Sequence, residues 1–226
     1  MIRRKGFKLK VNKKVDVSKL KMALLLSIPI ILGVALNDIN AIVDRIFVTE
    51  DIAGGISALN YAQRLIGFVQ GIVVISIATA AYPLMTRMIN EKNILRLKET
   101  ILDSMLGVCM LVVPCTIGIM VLVRPIVDLL FGRGAFNQDA IQMTSSVLFF
   151  YSIGMIGMGM REILSRPFYA FKDARTTAIN AGIGVIMNIM LNVVLFPLFG
   201  IRGLALGTSL STTVAAMLMF IILRKK

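Results

Sequence analysis

The sequence predicts an all-α membrane protein, a bundle of six transmembrane helices. Three observations carry that reading. Hydrophobic residues make up 57% of the 226-residue chain, against about 45–50% apolar in average globular usage. A soluble core of this size has no room for so much apolar surface. These residues fall in six runs, each near the ~20 residues that a spanning helix needs. If the runs cross alternately, twenty of the 25 Lys and Arg lie on one side and five on the other. Basic residues are retained in the cytoplasm, so both termini are expected there.

Residues 1–21, "MIRRKGFKLKVNKKVDVSKLK", form a basic N-terminal segment too polar to hold the apolar region of a cleavable signal peptide. The first span covers 22–46, opens with "MALLLSIPIILGVAL" and closes with "DINAIVDR". Asn37, Asn40 and Asp44 fall at i, i+3 and i+7 on one helix face, while Asp38 points away from it. Ionisable groups at membrane depth usually face a bundle interior or a wet cavity. Asp44 either does so or pairs with Arg45 at the interface. The second span, 62–88, opens with Arg64, which shares a face with Gly67 and Gly71. Arg64 either snorkels to the interface or faces a cavity and holds an anion; its permanently charged fork suits phosphate.

The third span, 105–123, contains Cys109 and Cys115. Six residues turn ~240° around a helix, so the two point apart and read as small buried, unpaired thiols. The fourth span, 141–160, is the weakest, because Gly154, Gly157 and Gly159 thin its side chains. The fifth and sixth, 176–198 and 201–223, are joined by the tight "FPLFGIRG". Asn188 and Asn192 share a face of the fifth; Thr208, Ser211 and Thr212 share a face of the sixth. Such oxygens suit a hard cation or ordinary interhelical hydrogen bonds. The stripes Gly67/Gly71 and Gly203/Gly207/Ser211 predict close helix packing. Residues 22–223 thus form the bundle and 224–226 a cytoplasmic tail. A coarse repeat of helix hairpins is conceivable, but no sequence self-similarity proves it.

The charge split accounts for the formal net charge of +13 without nucleic acid, leaving the bilayer and its anionic headgroups as partners. With no histidine in the chain, His-based acid–base chemistry and His metal ligation are excluded. No phosphate-cradling Gly-Lys-Ser/Thr loop is present; "FGRGAF" at 131–136 is glycine-rich but lies outside, between spans. The chain is not expected to be an enzyme.

"LNYAQRLIGFVQGIVVISIATAAYPLMTR", "FGRGAF", "RPFYAFKDARTT" and "GLALGTSLS" resemble the MurJ/MviN family of lipid II flippases in the MOP exporter superfamily. The resemblance covers nearly the whole chain and matches the second of that family's two six-helix lobes. It implies a lobe of a transporter of the bacterial inner membrane. By alternating access, such a transporter turns a lipid-linked, pyrophosphate-bearing sugar precursor of peptidoglycan from the inner to the outer leaflet. It implies substrate contact by Arg64, preceded here by Gln63 where the family often has an acidic residue. It implies a sodium ion, the only cofactor, held by Asp44, Asn188, Asn192, Thr208 and the Leu204 carbonyl. Asn192 stands where a carboxylate occurs in that pattern, which leaves Asp44 as the sole anionic ligand and lowers affinity or leaves the site vestigial. Half of a two-lobed rocker does not alternate access alone. The chain is therefore expected to be a fragment, a subunit working with a separate first lobe, or one half of a homodimer. The alternatives are an exporter of other lipid-linked saccharides or drugs, or a non-transporting membrane fragment.

Overall fold

In lipid every backbone N–H and C=O must be paired within the protein, and long apolar runs meet that demand as helices. The computed structural model describes residues 28, 31, 33, 35, 36, 38–48, 54–134 and 136–225, and among these no strand occurs. The basic segment 1–21 and Asn37 lie outside the described residues. We number the helices α1 (38–47, with 28, 31, 33, 35 and 36 also helical), α2 (Gly55–Val69), α3 (Ile75–Asn90), α4 (Ile94–Val121), α5 (Val123–Phe131), α6 (Gln138–Ile153), α7 (Met155–Ala170), α8 (Ala174–Phe199) and α9 (Ile201–Arg224). A π-helical turn, Gln70–Val74, joins α2 to α3.

Gly55–Asn90, Ile94–Val121, Ala174–Phe199 and Ile201–Arg224 are each long and apolar enough to cross a membrane. The α6–α7 pair is together apolar and long enough to cross, with a 47° bend between its halves. The first expected span, 22–46, is described only in part. The outward faces carry large apolar side chains, such as Ile179, Ile183, Ile186 and Met190 on α8 and Leu102, Leu106 and Met110 on α4, as lipid-facing surfaces must.

The glycines of the fourth span have a packing role. A methyl at Gly154 would lie 2.5 Å from the Ser209 Cα, and one at Gly157 would lie 2.7 Å from the Thr213 Cα. The α6–α7 span therefore crosses α9 backbone to backbone, and Ser209 Oγ donates to the Phe150 carbonyl at 2.7 Å. The bend at Gly154 faces the π-turn: Gln70 Nε2 donates to the Met155 carbonyl at 2.9 Å. Gly203 and Gly207 are likewise packed closely on α8, as their stripe predicted. Gly67 and Gly71 are not: open space lies beyond both, with no neighbouring helix against them.

Two turns repeat one geometry. In α3–α4, Asn93 N–H donates to Met88 O and Lys92 N–H to Ile89 O; in α7–α8, Asp173 N–H donates to Phe168 O and Lys172 N–H to Tyr169 O. These are Schellman closures, each with a left-handed lysine, Lys92 at φ 55° and Lys172 at φ 59°. Asn93 Oδ1 and Asp173 Oδ1 then cap the next helices through Arg96 N–H and Thr176 N–H. The hairpin repeat that sequence self-similarity did not prove is thus present in the backbone. Arg161 and Arg166, assigned by their charge to a loop, lie inside α7, because the fourth span continues to Ala170. Arg166 pairs there with Glu162. Cys109 and Cys115 are free as expected, but half-buried and not buried, since each sits on the flank of α4 between its packed stripe and its lipid face.

Candidate functional site

Polar side chains gather where α1, α8 and α9 meet. Asn188 and Asn192 stand one turn apart on α8, and Asn192 Nδ2 donates to Asn188 Oδ1 at 2.9 Å. The same amide donates to Asp44 Oδ1 at 2.6 Å, which ties α1 to α8. Asn188 Nδ2 donates to Thr208 Oγ1 at 3.0 Å, and Thr208 Oγ1 donates back to the Leu204 carbonyl at 3.1 Å. Gly200, at φ 58°, turns the chain tightly enough to lay α9 against α8. Gly207 lets it come close: a methyl there would lie 2.5 Å from Asn192 Oδ1. All five residues expected to hold a cation are therefore neighbours.

The cluster is dry and under-satisfied. Asp44 is 2% exposed and Asn192 0%. Asp44 Oδ2 and Asn192 Oδ1 are buried without a hydrogen-bond partner. Buried polar atoms are rarely left so, and a buried carboxylate needs a compensating charge. The Arg45 guanidinium turns to Asn60 Oδ1 at 3.4 Å. Among the described residues no group of three or more His, Cys, Asp or Glu sits together. One carboxylate with neutral oxygens suits a monovalent hard cation better than a transition metal.

Asn40, on the Asp44 face, serves a different place. It lines a cavity of about 30 Å³ with Arg161, Ser211 and Thr212, and its Oδ1 is unpartnered. Of the sixth-span oxygens only Thr208 joins the cation cluster; Ser211 and Thr212 hydroxyls donate to the Thr208 carbonyl.

Arg64 lies on the wall of a cavity of about 510 Å³ shared with Arg45, Ser57, Asn60, Tyr61 and Gln63. No carboxylate is among these residues, so two guanidiniums and two amides face a space that suits an anion. Gln63 links this cavity to the cation cluster. Its Nε2 donates to the Tyr151 hydroxyl at 3.0 Å, and Tyr151 lies near Thr208. Tyr151, 1% exposed, had no mark in the sequence beyond being a polar-tipped aromatic in an apolar run. Arg45 was weighed only as a partner for Asp44.

Comparison with known proteins agrees with the motifs. A description of the family "Lipid II flippase MurJ" matches residues 1–226. The chain is similar to a probable lipid II flippase MurJ of Buchnera aphidicola subsp. Baizongia pistaciae, 29% identical over 189 residues, covering 84% of this chain and 37% of that protein. It is similar to one of Vibrio cholerae, 31% identical over 186 residues, covering 82% and 35%. A lipid II flippase MurJ in an inward closed conformation superposes with TM-score 0.79 at 25% identity, over 96% of this chain and 46% of that one. A Vibrio cholerae MATE transporter shares the fold, with TM-score 0.85 at 14% identity over 99% and 50%. The chain thus spans little more than a third of the curated relatives' length, and it belongs to the lipid II flippase MurJ family.

Proposed function

We propose that the chain is the second lobe of a transporter that moves a lipid-linked peptidoglycan precursor, lipid II, from the inner to the outer leaflet. One observation carries this reading: an arginine-lined cavity, whose Gln63 donates to the buried Tyr151 hydroxyl, lies near a buried polar cluster on three helices. Arg45 and Arg64 bring two positive charges to one space, which match the two negative charges of a pyrophosphate diester. Asp44, Asn188, Asn192, Thr208 and the Leu204 carbonyl would hold a sodium ion, which supplies the charge that buried Asp44 lacks. The reading includes a first lobe on a separate chain or a second copy, and cytoplasmic termini in the bacterial inner membrane.

The test is Arg64→Ala. A charge-assisted hydrogen bond is worth about 1.5–3 kcal/mol, so binding of a pyrophosphate-linked lipid by the two-lobed assembly should fall roughly ten- to a hundredfold. Growth of a flippase-depleted strain carrying that assembly should be lost, with insertion intact. Arg64→Lys should restore activity only partly, since lysine lacks the planar fork. Normal binding and growth with Arg64→Ala would reduce Arg64 to an interfacial residue.

A further inference from the structure

A second cavity adjoins the arginine pocket and belongs to none of the roles above. It measures about 710 Å³, lies between α2, the end of α5 and the start of α6, and shares Ser57 and Tyr61 with the arginine pocket. Phe131, Arg133 and Phe136 of the "FGRGAF" stretch line it. Tyr61 packs on Phe131 with ring centroids 4.6 Å apart and meets Phe136 nearly edge-on at 5.3 Å. All three rings are only half-buried, so each packs on its neighbours and still borders the cavity. Asp139 and Ser57 add exposed polar groups to the lining. The cavity also contains Thr144, 0% exposed, whose Oγ1 is buried with no hydrogen-bond partner. A threonine could donate that hydroxyl to its own helix, as Ser146 and Ser152 do on α6; Thr144 does not.

Aromatic rings beside a few convergent polar groups form an apolar platform with specific hydrogen-bonding points. A pyranose ring presents the same two chemistries, C–H faces and a rim of hydroxyls. An acyl chain would leave Thr144, Asp139 and Ser57 facing hydrocarbon at a cost. Asp139 and Arg133 together give the lining one charge of each sign, which suits a neutral hydroxylated ring better than a free anion. We propose that this cavity is a carbohydrate subsite. It would seat a sugar ring of the headgroup whose pyrophosphate lies at Arg45 and Arg64, and so it rests on the function proposed above. The two cavities adjoin, so a sugar joined directly to a pyrophosphate would reach both at once. Phe136 and Tyr61 would bear on the ring face, and Thr144 would gain the partner it lacks.

The experiment uses the full chain in phosphatidylcholine nanodiscs, which carry no sugar headgroups. The sugar probe is N,N′-diacetylchitobiose, followed by saturation-transfer NMR; the anion probe is inorganic pyrophosphate. Chitobiose should bind the unaltered chain. Thr144→Val keeps the side-chain shape and removes only the hydroxyl. It should leave the melting temperature of the ligand-free chain unchanged or higher, since no hydrogen bond is lost there, yet weaken chitobiose about fivefold. Phe136→Leu should weaken it by about two- to tenfold. Neither variant should change pyrophosphate binding. UDP-N-acetylglucosamine, a sugar carried on a pyrophosphate, should bind about tenfold tighter than either fragment, because the second contact becomes intramolecular. No chitobiose signal, or a signal that survives both variants, overturns the subsite. A UDP-sugar no tighter than chitobiose overturns its continuity with the arginine pocket. Pyrophosphate binding that survives Arg64→Ala overturns the anion reading alone, and the subsite is then judged on the chitobiose arm.

Discussion

Asp44 is the one acidic side chain in the polar cluster of α1, α8 and α9, and one of its oxygens has no partner. Replacing it with asparagine keeps an acceptor for Asn192 Nδ2 and removes the buried charge. Without salt, Asp44→Asn should therefore match or exceed the unaltered chain in thermal stability, because an uncompensated buried charge is costly. Sodium should stabilise the unaltered chain by mass action and leave Asp44→Asn unmoved. A melting temperature that responds equally to sodium, potassium and choline would leave a purely structural cluster. Tyr151 is the next residue out. Its hydroxyl accepts from Gln63 and the residue lies near Thr208, which places it between the two sites. Coupling free energies between sites are typically 1–3 kcal/mol, so sodium should change pyrophosphate affinity of the unaltered chain by about fivefold or more. Tyr151→Phe should bring that ratio close to one while both ligands still bind. A ratio unchanged by the substitution would remove Tyr151 from the link.

At the scale of elements, glycines with the same local sequence character have opposite surroundings. Gly154 of the α6–α7 bend presses on the α9 backbone, whereas Gly67 of α2 borders open space. Overpacking a close contact costs typically 1–3 kcal/mol, and the neighbour at Gly154 is a Cα that has no rotamer to change. Gly154→Ala should therefore destabilise the chain by about that much. Gly67→Ala meets nothing and should stabilise by up to ~1 kcal/mol through helix propensity. Thermal unfolding of the two variants decides this, and equal effects would contradict the crossing described here. The two lysine turns are the other element-level device. A left-handed Lys92 or Lys172 is conformationally unfavourable relative to glycine, yet a cation at a helix C-terminus meets the negative end of the macrodipole.

For the whole molecule, alternate crossing of the spans would put the lysine turns and the "FGRGAF" stretch at opposite ends of the bundle. That pattern sets the topology test. Asn93 and Asn137 both cap helices, so cysteines are better placed at exposed Glu91 and Arg133 in a chain lacking Cys109 and Cys115. In intact cells an impermeant thiol reagent should label Arg133→Cys and spare Glu91→Cys. Reversed labelling would overturn cytoplasmic termini.

The all-helical, lipid-facing character was legible in the sequence, because apolar runs of spanning length admit only one backbone solution in a bilayer; α5 and the π-helical turn were not. That the residues of the polar cluster would meet was legible too, through motif resemblance supported by helical spacing: Asn188 and Asn192 share a face at i and i+4. Spacing alone left that cluster open between ion binding and helix–helix hydrogen bonding, since periodicity shows which residues share a face but not what faces them. Only the tertiary structure decided that Asp44 bonds Asn192 while Arg45 turns to Asn60. It alone showed that Gly67 and Gly71 meet open space while Gly154 and Gly157 carry a helix crossing, for a glycine's role depends on what approaches it. It alone brought Tyr151 between the two sites and Thr144 into the aromatic cavity, because contacts between residues far apart in the chain are set by helix packing and leave no period in the sequence.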